Sequence, residues 1–174
     1  MTLTDKQTGV FKGMVAGLAI TVASLGFAIF GLESPVLVAD ASLAHAIKWD
    51  TLVVACLAVN IALLARHRFF TPDDIDGGGL SKGTPTAQIL QSTLQNTLEQ
   101  TVLALAVHAV WSSVMPPTWQ LAIPAASILF IVGRILFWRG YARGAPARAL
   151  GFGLTFYPSL LMLLVIVFRI VLVR

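Results

Sequence analysis

The residues best suited to chemistry lie in RILFWRGYARGAPAR, Arg134 to Arg148, an arginine- and aromatic-rich passage between two long apolar runs. At 100° per residue, Arg134, Phe137, Trp138 and Tyr141 share one side of a helix, whereas Arg139 and Arg143 fall on the other. One face sets a cation among rings and the other is simply basic. Gly144 and Pro146 end that helix. Pro146 suits the first position of the next one, which puts Arg148 in its opening turn.

A second cluster comes earlier in the chain. Gln88, Ser92, Gln95, Asn96 and Glu99 fall at i, i+4, i+7, i+8 and i+11, a single stripe on a helix. Glu99 stands about 17 Å along that helix from Gln88 at 1.5 Å per residue. A carboxylate at such depth is expected to face a bundle interior or a wet cavity and to have a partner, because an isolated charge in hydrocarbon costs several kcal/mol. Arg134 is the expected partner. Several guanidinium groups for carboxylates, an amide and an acid for ammonium or peptide groups, and rings for packing suit a small zwitterion with more than one carboxylate.

The elements that must position these groups are membrane helices. The chain has 174 residues, of which 57% are hydrophobic and 11% charged, with a mean hydropathy of +0.84. That is less than half the charge of an average soluble protein, and it makes one integral membrane domain. Five stretches approach or meet the roughly 20 helical residues that cross hydrocarbon. They are Val10 to Leu32, Trp49 to Phe69, Ile89 to Val114, Trp119 to Tyr141, and Leu150 to Val173. None alternates with period two, so the expected class is all-α and not a barrel. The net charge of +4 is spread beside apolar spans, which argues for membrane orientation and an anion site, and against nucleic acid.

Local signals refine this plan. Gly9, Gly13 and Gly17 form a small-residue seam on the first span. Ala39-Asp40-Ala41 has the form of a signal-peptidase site, but the apolar core before it exceeds that of a usual leader, so the stretch reads as a retained span. Glu33, Pro35 and Asp40 mark a connection, and Ser42 to Lys48 an interfacial lead-in with His45 at the surface. The loop DDIDGGGLSKGTP is expected to be flexible and solvated; it lacks the spacing and terminal glutamate of an EF-hand. Met115-Pro116-Pro117 is a tight turn, with Trp111 and Trp119 as interface anchors, and Pro124 is positioned to kink the fourth span. Cys56 is expected to be a buried thiol and His108 a packing histidine. No phosphate loop, zinc signature, paired-histidine haem site or Ser-His-Asp arrangement is present, and no metal site is expected. With a cytoplasmic amino terminus, nine Lys and Arg fall on that side against three (Lys48, Arg169, Arg174), so the positive-inside rule puts the carboxyl terminus opposite. In a bacterium this would be the inner membrane.

At this point the chain resembles the membrane-associated proteins in eicosanoid and glutathione metabolism, a family that includes microsomal glutathione transferases and leukotriene C4 synthase. Asn96-Thr-Leu-Glu99 matches the family's Asn-x-x-Glu. Arg134-x-x-Phe137-x-x-Gly140-Tyr141-x-Arg143-x-x-x-x-Arg148 matches its Arg-x-x-Tyr-x-x-Gly-Tyr-x-Arg-x-x-x-x-Arg. Ala65-Arg66-His67-Arg68-Phe69 with Thr71-Pro72 resembles its first-helix exit. The resemblance implies a four-helix transmembrane bundle, here with one additional N-terminal helix. It also implies homotrimers in the lipid bilayer, with glutathione as co-substrate between subunits. Asn96, Glu99, Arg134, Phe137 and Tyr141 would then bind the tripeptide, Arg66 would contribute from a subunit edge, and Arg148 would hold the thiol as thiolate. Lipophilic electrophiles or hydroperoxides would be the second substrates of such a transferase or peroxidase. Ser92 replaces the family's usual arginine and Phe137 its first tyrosine. Those departures favour the alternative of a non-catalytic scaffold or a lipid-binding accessory subunit.

Overall fold

Thr4 begins the first helix by reciprocal capping: the Gln7 N–H donates to Thr4 Oγ1 at 3.3 Å, and the Thr4 N–H donates to Gln7 Oε1 at 2.9 Å. The computed structural model describes residues 3–33 and 39–172. The described residues form five long helices: α1 (Asp5–Gly26, prolonged by a π turn at Phe27–Gly31), α2 (Ala39–Phe70), α3 (Pro85–Val114), α4 (Ala122–Tyr141) and α5 (Ala145–Leu172). Short 3-10 turns at Pro72–Asp74 and Pro117–Trp119 complete the connections. Pro35 and Arg174 lie outside the described residues.

Helices α2 to α5 form the bundle, and α1 lies against α5 on its outside. The glycine seam explains that contact. A Cβ at Gly13 would stand 2.8 Å from Ala149 Cβ and 3.0 Å from the Leu150 nitrogen, and one at Gly17 would stand 3.2 Å from Gly153 Cα. Only glycine permits two backbones to approach so closely. The perimeter is apolar: Phe27, Leu98, Val102, Ile128, Val132, Leu164 and Phe168 all point outward. Such a surface belongs in hydrocarbon, and the protein is a multi-pass integral membrane protein.

Four of the five helices are long and apolar enough to cross a membrane. The exception is α3, expected as the third span, whose first half carries Gln88, Gln91, Gln95, Asn96 and Glu99. It nevertheless runs antiparallel beside α2 through the same depth. Arg68 Nη2 donates to Gln91 Oε1 at 3.0 Å at one end, and His108 Nδ1 meets Asp50 Oδ1 at 2.5 Å at the other. The two ties are about 26 Å apart along either helix.

Several local expectations are corrected. Helix α2 opens at Ala39, so Ser42 to Lys48 is its first part and not a separate lead-in. His45 is half-buried beside Trp49. Trp111 is 1% exposed, stacks on Trp119 and donates its indole N–H to the Trp119 carbonyl, which makes it a core residue and not an anchor. Pro124 falls in the first turn of α4, where a missing N–H costs nothing, so it makes no kink. Cys56 is buried, with Val53, Ala104 and Phe130 in the core, and His108 packs as expected.

Candidate functional site

The site is built where α4 turns into α5. Gly144, at φ +96°, closes the turn after α4, a backbone conformation that side-chain-bearing residues avoid. A Cβ at Gly140 would collide with the Ala147 carbonyl, and one at Gly151 with the backbone nitrogen of Phe137. These glycines draw the end of α4 onto the start of α5. Arg148 therefore faces Tyr141, its guanidinium carbon 4.3 Å from the ring centroid, a cation–π distance. Asn96 from α3 joins them. Together with Phe137, Ala145, Ala149 and Phe152 they line a pocket of ≈ 360 Å³.

Arg134 lies beneath this pocket, not in it. It is 0% exposed, and its guanidinium sits 4.4 Å from the Phe137 ring centroid. Nη1 donates to Asn96 Oδ1 at 2.9 Å and to Thr97 Oγ1 at 3.4 Å, and Nη2 donates to Thr155 Oγ1 at 2.6 Å. Arg134 thus reaches the pocket through Asn96, whose side chain it orients, and through the Phe137 ring.

The expected pairing of Arg134 with Glu99 does not form. Glu99 is exposed on the outer face of α3 and accepts from Gln95 Nε2 at 3.0 Å. The stripe as a whole points outward: Gln88, Ser92, Gln95 and Glu99 are exposed, Asn96 is half-buried, and the inward positions are Thr93, Thr97, Gln100 and Thr101. The periodicity grouped these residues correctly. It could not say which side faces the bundle, because threonines and Gln100 make the inner face polar as well.

Arg66 is also exposed and stands apart, in a groove with Leu63, His67, Phe70 and Leu90. The fold therefore gathers Asn96, Phe137, Tyr141 and Arg148 and leaves Arg66 and Glu99 on its outer surface. Arg139 and Arg143 are exposed, as a basic headgroup-facing side should be. No group of three or more His, Cys, Asp or Glu among the described residues could hold a metal ion.

The sequence reading missed an anchored loop. Asp74 is 1% exposed; Oδ1 accepts from the Thr84 N–H at 2.7 Å, and Oδ2 accepts from Thr84 Oγ1 at 2.6 Å and faces His67 Nε2 at 2.8 Å. These bonds, from Thr84 first and His67 after it, hold the Asp74 carboxyl below its ordinary pKa. The Thr84-Pro85 start of α3 was the available signal, since a capped helix needs its loop fixed.

The family pattern for MAPEG matches residues 49–168, most of the chain. The chain belongs to the MAPEG family. The match takes in most of α2, all of α3 and α4 and most of α5, and excludes α1. Transmembrane protein 79 of Bos taurus is similar over a short stretch, 39% identical over 56 residues. That stretch is 32% of this chain and 14% of the bovine protein, so the chain spans only a small part of that relative's length. No solved structure matches.

Proposed function

We propose that this MAPEG protein is a membrane-bound glutathione-dependent transferase or peroxidase acting on lipophilic electrophiles or hydroperoxides. The observation that carries the reading is the convergence of Arg148, Tyr141 and Asn96 from three helices in one pocket. A free thiol with pKa near 8.5 is mostly protonated at neutral pH, and a guanidinium beside the sulfur favours the thiolate. Arg148 is the catalytic cation in this scheme. In transfer, the thiolate sulfur bonds to the electrophilic carbon and the leaving group departs with its electron pair. In peroxide reduction, sulfur attacks the terminal oxygen and releases the alkoxide, which takes a proton as alcohol. A second glutathione then converts the sulfenic acid to disulfide and water.

Asn96, with Arg134 behind it, Phe137 and Tyr141 form one wall for the tripeptide. Arg66 and Glu99 join from a neighbouring copy in a homotrimer, with the amino terminus cytoplasmic and the carboxyl terminus opposite. The exposed stripe on α3 supports this assembly: the four exposed polar side chains Gln88, Ser92, Gln95 and Glu99 call for a covering surface. The test is ultraviolet difference absorbance on adding glutathione to the full chain in bilayer discs. A thiolate band is expected, and Arg148→Ala should abolish it. Absence of the band from the unaltered protein refutes the scheme.

A second reading is a non-catalytic relative that kept the bundle and serves as a scaffold or lipid-binding subunit. Ser92 and Phe137 favour it, for they remove a guanidinium and a phenol from the family's pattern. Glutathione binding without the thiolate band, or no binding, is its expected result.

A further inference from the structure

The helix outside the family match contributes to the pocket inside it. Val10 and Met14 of α1 line the same ≈ 360 Å³ space as Asn96, Tyr141 and Arg148. Each follows a seam glycine by one position. A Cβ at Gly9 would stand 2.8 Å from Pro146 Cβ, as one at Gly13 would from Ala149 Cβ. The seam thus locks α1 against the turn of α5 that carries Arg148, and one helical turn separates the two side chains it holds over the pocket. The lining mixes polar and apolar groups. Arg148, Tyr141 and Asn96 supply its polar groups, while Val10 and Met14 add apolar surface from a different helix, alongside Phe137, Ala149 and Phe152.

We propose that α1 is the acceptor wall of the site, with Val10 and Met14 contacting the apolar part of the second substrate and setting the size it accepts. The inference rests on the glutathione-dependent reading above. It names the class of acceptor: a lipophile whose reactive atom lies at Arg148 and whose apolar body lies along α1. An unbranched, adaptable methionine at the rim, 38% exposed, suits acceptors of varied shape.

The test measures binding of S-hexylglutathione and S-methylglutathione to the full chain in bilayer discs. Both contain the tripeptide, and only the hexyl group extends to the apolar surface of α1. Met14→Ala removes contact area and Met14→Trp fills the space, so each should lower the hexyl-to-methyl affinity ratio by roughly tenfold, the scale of a lost apolar contact in a pocket. Thermal release of the buried Cys56 thiol verifies that both variants are folded. An unchanged ratio in both variants, with both ligands bound, overturns the role of α1 and leaves the proposed function standing. Failure of the unaltered protein to bind either conjugate overturns both.

Discussion

Replacing Arg134 by lysine should damage the protein more than replacing it by methionine. The guanidinium spans two helices, with Nη1 on Asn96 and Nη2 on Thr155. A lysine ammonium is a point donor that cannot reproduce this fork. It keeps the buried charge and loses at least one charge-assisted hydrogen bond, about 1.5–3 kcal/mol. Methionine removes the charge and its desolvation cost while keeping an apolar stem between Phe130 and Phe137. It also leaves few orphans. Thr97 Oγ1 donates to the Thr93 carbonyl at 2.7 Å, Thr155 Oγ1 donates to the Phe152 carbonyl at 2.9 Å, and Asn96 is half-buried. The methionine variant should therefore lie within about 1 kcal/mol of the parent. For a chain of this size 1 kcal/mol moves the melting temperature by roughly 2–4 °C, so the lysine variant should melt about 3–12 °C lower. A fluorogenic thiol reagent supplies the assay, because Cys56 is the only cysteine and is 7% exposed. A lysine variant as stable as the methionine variant, or more so, refutes the reasoning.

Three further outcomes follow from the packing and the loop. Gly13→Val, whose side chain would meet Ala149 Cβ and the Leu150 nitrogen, should force α1 off α5 and cost about 1–3 kcal/mol in thermal melts, whereas Gly26→Ala, with nothing within 4 Å of its Cβ, should cost little. His108→Phe should leave Asp50 buried without its partner and cost about 3–5 kcal/mol, whereas Asp50→Leu with His108→Phe should recover much of that loss in thermal melts. Asp74 has a folded pKa below its ordinary 3.8, so its contribution is complete above that value and is lost as pH falls through the lower folded one. Hydrogen exchange at the Thr84 amide should be unchanged from pH 7 to 5, after correction for intrinsic rate, and should lose protection below about pH 4; Asp74→Ala should lose it at every pH.

Much of the fold was legible because membrane helices announce themselves by length and hydropathy. The seam was legible too, since Gly9, Gly13 and Gly17 allow few other uses. The helix period put Phe137 and Tyr141 on one face, and the family resemblance added Arg148 to them. What failed was the facing of α3. A helix with Thr93, Thr97, Gln100 and Thr101 on its inner face and Gln95 and Glu99 on its outer one carries polar residues all round, so its moment indicates no core direction. The loop failed for a different reason. Three glycines suggest freedom, but a single aspartate closing on the cap of the next helix fixes its base.

The outward stripe and the inward arginine belong to one design argument. A bundle core holding Arg134 needs acceptors, and Asn96, Thr97 and Thr155 supply them without a second charge. Had Glu99 been turned inward as the counter-ion, it would have been consumed in a closed pair with nothing left for a ligand. Turned outward at the centre of a membrane helix, a carboxylate in lipid costs about 2.5–3.5 kcal/mol, which its bond to Gln95 offsets only in part. That residual cost falls where a second copy covers the stripe and a zwitterionic ligand brings its ammonium to Glu99, and Arg66, exposed near the end of α2, can meet a carboxylate of the same ligand. The proposed trimer thus joins two features that each protomer leaves unfinished, and Glu99→Gln should lower the cost of the monomer while weakening whatever the acid holds in the assembly.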